Sequence, residues 1–157
     1  MTDLPQQTRH YTGHPIIDSD RWRVYQPRPG DIVITTSYKA GTTWMQAIVA
    51  NLLYQDGEFP EPVGVMSPWL DMRLPPLEMV EAGLEAQTGR RFIKTHLPLD
   101  GLPYFEDVSY VFVGRDPRDV FMSLWNHHSG YTDETAAQMS GLAEQEGKHF
   151  PTGQSDI

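Results

Sequence analysis

The chain contains no cysteine. That excludes disulfides, thiolate metal sites and cysteine nucleophiles, and it fits a reducing compartment. Cations are also scarce, with 12 Lys+Arg against 21 Asp+Glu and a formal net charge of -9. A field of that sign repels nucleic-acid backbones and anionic membranes. Any nucleotide site must therefore be a local positive pocket, not a basic face. No apolar run approaches membrane-spanning length, and the start, MTDLPQQTRH, carries no signal-peptide pattern. The expectation is a soluble cytoplasmic protein with neither nucleic-acid nor membrane partners. Its 157 residues suffice for one domain with a real core.

What is present is an alternation of strand and helix signals, without internal repeats. Residues 1–30 are polar and proline-punctuated and end in the turn signal QPRPGD. DIVITT (31–36) is short and β-branched, as suits a strand buried on both faces. From Thr42 the period changes. Met45, Ile48, Val49, Leu52 and Leu53 form the stripe of a core-facing helix. A proline-rich loop follows over 55–75, with VMSPWLDM at its middle, and PLEMVEAGLEAQ (76–87) reads as an amphipathic helix. RFIKT (91–95) and VSYVFVG (108–114) are further strands, the latter the most apolar. In RDPRDVFMSLWNHH, Asp116 is placed as an N-cap, Pro117 as the first helical residue, and Asp119 completes a capping-box-like pattern. TAAQMSGLAEQEGKHF is at most a modest helix, and PTGQSDI a loose end.

Strands alternating with helices predict a three-layer α/β fold, a parallel sheet flanked by helices. Ligands of such sheets sit outside the carboxyl ends of the strands. Those ends here are TTSYKAGTT, KTHLP and GRDPRD, all with cationic or titratable residues. One shared site is the expectation. A glycine turn between strand and helix offers backbone N–H groups and a positive helix end to an anion. Lys39 adds a charge, and Thr42 and Thr43 add hydroxyls. The loop is neither GxxxxGK[ST] nor GxGxxG. A capped helix with a solvated Lys39 is the competing reading. Trp44, just outside the apolar stripe, favours the first, because its face could stack on a purine held by the same loop.

YKAGTTW resembles the phosphosulfate-binding loop of the cytosolic-type sulfotransferases, usually PKSGTTW. KTHLP is similar to the segment carrying that family's catalytic histidine. RDPRDVFMS resembles its 3′-phosphate-binding segment, in which a serine follows an arginine by eight positions, as Ser123 follows Arg115. The three motifs occur in the family's order, and the resemblance covers roughly residues 25–132. It implies a P-loop-like loop and a donor, 3′-phosphoadenosine 5′-phosphosulfate (PAPS), that leaves as PAP, with no metal. By that resemblance Lys39, Ala40, Gly41, Thr42 and Thr43 hold the phosphosulfate, Trp44 stacks on adenine, and Arg115 and Ser123 read the 3′-phosphate. His96 would be the general base, with Lys39 and Lys94 sharing the charge of the transferring group.

Each role has a plainer rival: a turn histidine for His96, an edge lysine for Lys94, and a back-bond to the Asp119 carbonyl for Ser123. Arg118 and Asp119 read as helix-end charge pairs, while His127 and His128 diverge on a helix and are not read as metal ligands. Trp69, Met72 and Phe92 could line an acceptor pocket for a small, hydrophobic hydroxyl or amine compound, or could equally be core. A homo-oligomer is left open. Tyr38 and Ala40 depart from the family's proline and serine. The family's later GxxGxxK and Arg-Lys-Gly segments have no counterpart here. The expectation is thus a single sulfotransferase-like domain over 1–157 that is incomplete, an N-terminal portion. The alternatives are a non-catalytic PAP- or nucleotide-binding module, an inactive fragment or, less in keeping with the Lys39 position, a kinase-like NTPase.

Overall fold

The computed structural model describes residues 4–145 and 147. Its centre is the β-branched run of β1 (Ile32–Thr36), every residue of which is buried. β1 pairs in parallel with β2 (Phe92–Thr95) on one side and β3 (Ser109–Val113) on the other, in the order β2-β1-β3. Alternation along β1 then builds two cores. Ile32 and Ile34 pack with Phe92, Val49, Ala50 and Met66 under α1 (Thr42–Leu53) and α2 (Val63–Met66). Val33 and Ile93 face the opposite layer, with Val80 and Leu84 of α3 (Leu77–Ala86). Met139 and Ala143 of α5 (Asp133–Gln145) belong to that layer too. Helices thus cover both faces of a parallel sheet, the three-layer α/β arrangement expected.

Two local expectations, the α1 stripe and the modest last helix, are corrected. The buried face of α1 is Thr42, Gln46, Val49 and Ala50, whereas Ile48 is 45% exposed and Leu52 67%. The helix meets β1, β2 and α2, and the Gln46 amide is drawn in by a 3.0 Å bond to the Ser67 carbonyl. A buried glutamine with a backbone partner thereby displaces the hydrophobic stripe. β3, the most apolar strand in sequence, lies at the sheet edge, with Phe112 63% exposed. α5 is a full 13-residue helix rather than a modest one. The PTGQSDI end lies outside the described residues.

The N-terminal segment is more than a polar lead-in. A 3₁₀ helix, Ser19–Val24, is capped by Asp18, which accepts from the Asp20 amide at 2.9 Å. Its Trp22, and Tyr25 behind it, are buried in the main core. Buried Arg21 donates to the carbonyls of Leu70 and Pro75, and Ile17 bridges Met72. These bonds pin the 67–75 segment against the sheet, where the Lys94 amide donates to the Pro68 carbonyl and Trp69 bridges Lys94.

α4 (Pro117–Ser129) begins as its sequence predicts. Asp116 caps it by accepting from the Arg118 amide, and Pro117 opens it. Asp119 lies 3.9 Å from the Arg115 guanidinium. Among the described residues no helix is long and apolar enough to cross a membrane.

Candidate active site

β1 is the point at which the topology switches. The chain leaves it for β2 on one side and reaches β3 on the other, so connections diverge above its carboxyl end, the place where such sheets bind ligands. The 37–41 loop, the turn after β2 and the β3–α4 connection all open there.

The loop is shaped for close backbone approach. Lys39 (φ 58°) and Gly41 (φ 112°) are both left-handed, and Gly41 is the N-cap of α1, without a side-chain cap bond and without an acid in the first turn. α4 is the contrast, with Asp116 on its amides and Asp119 in its first turn. A helix N-terminus lacking both features leaves donor groups and positive potential for an external anion. Lys39 is half-buried beside it, while Thr43 and Trp44 are exposed, Trp44 by 80%. Ala40 is buried, its amide donating to the Ser37 carbonyl at 3.3 Å. The Thr42 side chain turns inward, with its hydroxyl 2.5 Å from that of Thr36.

Thr36 links this loop to His96. The imidazole Nδ1 lies 2.9 Å from the Thr36 carbonyl oxygen and 3.3 Å from its hydroxyl. A carbonyl can only accept, so Nδ1 carries the proton and Nε2 keeps its lone pair. The ring stacks on Tyr38 at 4.6 Å between centroids and meets the edge of Trp69 at 4.6 Å. Burial pushes its pKa down to about 4, the Thr36 bond opposes that, and the Lys94 charge adds to it. The result is an imidazole that is neutral at ordinary pH, with one nitrogen locked and the other free.

Lys94, on β2, places its ammonium 5.0 Å over the Trp69 ring. Burial lowers its pKa, while the charge of Asp71 raises it. Asp71 is wholly buried. It accepts from the Trp69 indole at 2.9 Å and from the His96 amide at 3.3 Å. Burial raises its pKa against those bonds, and among the described residues its Oδ1 has no hydrogen-bond partner. Neither Asp71 nor Tyr38 was singled out from sequence as a site residue. WLD inside a proline-rich loop carries no periodic signal, and only the pinning of 67–75 to β2 brings it here.

Arg115 follows β3. Its Nη1 donates to the Lys39 carbonyl at 3.1 Å, and its Nε lies 3.9 Å from Asp119. The structure therefore brings Lys39, His96 and Arg115 to one rim of the sheet. Ser123 is half-buried two turns along α4, as are Val120 and Leu124 on its face. Trp69 stands against His96, and Met72 packs on the main core beside the same segment. Phe92 is not brought to the site. It is 1% exposed, in the α1-side core, at the opposite end of β2. His127 and His128 each pack on Tyr131.

A family model described as the sulfotransferase domain matches residues 29–152. The chain belongs to the sulfotransferase family. A glycolipid sulfotransferase of Mycobacterium tuberculosis is 50% identical over 107 residues, which is 68% of this chain and 33% of that protein. Sulfotransferase 1A1 of Canis lupus familiaris is 31% identical over 144 residues, 82% of this chain and 48% of that one. The chain thus spans a third to a half of the length of these curated relatives. Among solved structures, retinol dehydratase with retinol and PAP superposes with a TM-score of 0.54 at 22% identity, over 87% of this chain and 54% of that chain. A second structure, with androsterone and the inactive cofactor PAP, gives a TM-score of 0.55 at 23% identity, over 85% and 51%. These two superpositions carry the fold.

Proposed function

We propose that this chain is a portion of a PAPS-dependent sulfotransferase, one α/β domain over 1–157 that holds the donor loop and the general base. The observation carrying the proposal is the connection from Thr42 through Thr36 to His96. It joins an uncapped helix N-terminus, fit for a phosphosulfate, to an imidazole with a free nitrogen. When bound, the donor would supply an electrophilic sulfuryl group. Amides at the start of α1, with Gly41 leaving room for close approach, would hold its 5′ end, Lys39 would neutralise charge, and exposed Trp44 would meet the adenine. His96 Nε2 would take the proton from an acceptor hydroxyl or amine, and Lys94 would stabilise charge beside it. Arg115 and Ser123 would receive the 3′-phosphate.

Trp69 against His96 would give the acceptor side an apolar surface, which suits a small hydrophobic acceptor; Met72, packed on the main core, would support that segment from behind. The 50% identity to a glycolipid sulfotransferase puts lipid-linked sugars in the same panel as phenols and sterol-like alcohols. The absence of cysteine suits action in the cytoplasm.

A calorimetric titration with PAP against ATP, followed by a sulfate-transfer assay on that panel, tests the reading. PAP binding in preference to ATP, with transfer that His96→Ala abolishes, is the expected result. ATP preferred over PAP would overturn it. The second reading, a PAP-binding module without catalysis, draws on the chain's span of a third to a half of its relatives. It predicts PAP binding and no transfer.

A further inference from the structure

Tyr38 occupies the loop position just before the left-handed Lys39, and its ring does not follow the loop outward. It turns back over His96, with centroids 4.6 Å apart and planes 29° from parallel. Trp69 closes the angle, 6.0 Å from Tyr38 and edge-on to the imidazole. The Tyr38 hydroxyl is buried and has no hydrogen-bond partner among the described residues. The ring is therefore held in place by its stacking and not by its polar tip, since a buried, unpaired hydroxyl is a cost.

We propose that Tyr38 is a positioning residue for His96, its stacked ring fixing the imidazole in one orientation and closing that face to water. With Nδ1 tied to the Thr36 carbonyl, the ring has two ways to move: rotation about the bond to its backbone, and tilting away from the strand end. The Tyr38 stack and the Trp69 edge block both. What remains open is Nε2. The groups around the imidazole are Lys94 on β2, Asp71 on the 67–75 segment and Tyr38 on the loop, with Tyr131 beyond Tyr38, whereas the Lys39 charge acts on His127. Lys94 opposes protonation of the ring. Burial does so more strongly, and Tyr38 supplies part of that burial. The consequence for turnover rests on His96 acting as the base, whereas the consequence for the ring itself does not.

The test is nitrogen-15 NMR of the histidine rings in the full 157-residue chain, from about pH 3.5 to about pH 8. His96 is assigned by difference from His96→Gln. Wild type and Tyr38→Phe are expected to show a neutral ring protonated at Nδ1 down to about pH 4. Tyr38→Leu, which keeps an apolar side chain without a stacking ring, and Tyr38→Ala should raise the midpoint by about one unit or more. In the transfer assay the same two variants should lose ~10-fold or more in kcat with KM for the donor little changed. A midpoint unmoved in Tyr38→Leu, or moved equally in Tyr38→Phe, overturns the proposal. If no variant and no wild type transfers sulfate, the catalytic reading fails, and the ring titration still decides the role of Tyr38.

Discussion

The Nδ1 of His96 lies 2.9 Å from the carbonyl oxygen of Thr36, a bond between residues sixty positions apart that closes the tops of two neighbouring strands. It fixes the tautomer, so removing the imidazole should remove the base and leave the anion loop in place. His96→Ala is expected to bind PAP within about threefold of wild type and to lose ~100-fold or more in kcat. Parallel loss of PAP affinity would show that the histidine serves the loop rather than the chemistry.

The depressed His96 pKa makes stability depend on pH. Its folded value of about 4 lies below the free histidine value of 6.5, so the unfolded chain binds more protons between those values. The contribution is full above about pH 6.5 and is lost as pH falls through 4, about 3 kcal/mol at most. Asp71 works in the opposite sense. Burial raises its pKa, so acid relieves the cost of its charge. Denaturant melts of wild type and His96→Gln from pH 7 to about 4 isolate the histidine. Curves that stay parallel would contradict a buried neutral ring.

Arg115 has two attachments, the Lys39 carbonyl at 3.1 Å and Asp119 at 3.9 Å. Arg115→Ala should weaken PAP binding by ~10-fold or more through loss of a phosphate fork, and loosen the loop as well. Arg115→Lys should recover little, because an ammonium cannot serve phosphate and carbonyl in one plane. Calorimetry at two salt concentrations checks both, and equal affinities would exclude a phosphate contact.

Gly41 has a φ of 112°, and a Cβ built there would meet, among the described residues, only Val113 Cγ1 at 4.0 Å. There is room for a methyl group but no comfortable backbone for it. Gly41→Ala is expected to cost about 1 kcal/mol by thermal melting and to weaken PAP binding, since the methyl group would stand at the uncapped end of α1. Unchanged melting would mean that the loop relaxes easily to another conformation.

At the other end of the sheet, Arg91 Nη2 lies 2.5 Å from Asp31 Oδ2, with both side chains almost wholly buried. The Tyr25 hydroxyl donates to the same carboxylate at 2.8 Å. Burial raises the Asp31 pKa, but the bonds from Arg91, Arg28 and Tyr25 outweigh it and hold the carboxyl below its usual range. Arg91→Leu leaves that charge unpaired and should cost about 3–5 kcal/mol. Arg91→Leu combined with Asp31→Leu should recover part of it. A loss under about 1 kcal/mol in chemical denaturation would show that water reaches the pair.

The parts of the fold legible in sequence are those with local causes. The three strands, the glycine turn before α1 and the Asp116-Pro117 start of α4 all rest on neighbours in the chain, and their shared rim follows from parallel topology. The parts that were not legible depend on distant partners. Gln46 is buried because Ser67 offers a carbonyl, and no hydrophobic pattern reports that. Trp22 and Tyr25 enter the core from a segment without period. Asp71 becomes a neighbour of His96 only because Arg21 and Ile17 anchor its loop. Phe92 looked equally suited to core or pocket, and the pleat of β2 sends it to the core.

Trp44 projects into solvent with 80% of its surface open, while Trp22 is almost fully enclosed and Trp69 and Trp125 are half covered. An indole so placed emits at long wavelength and is readily quenched by iodide. Whatever settles on the start of α1 will shade it, so the chain carries its own optical reporter beside the donor loop and needs no label.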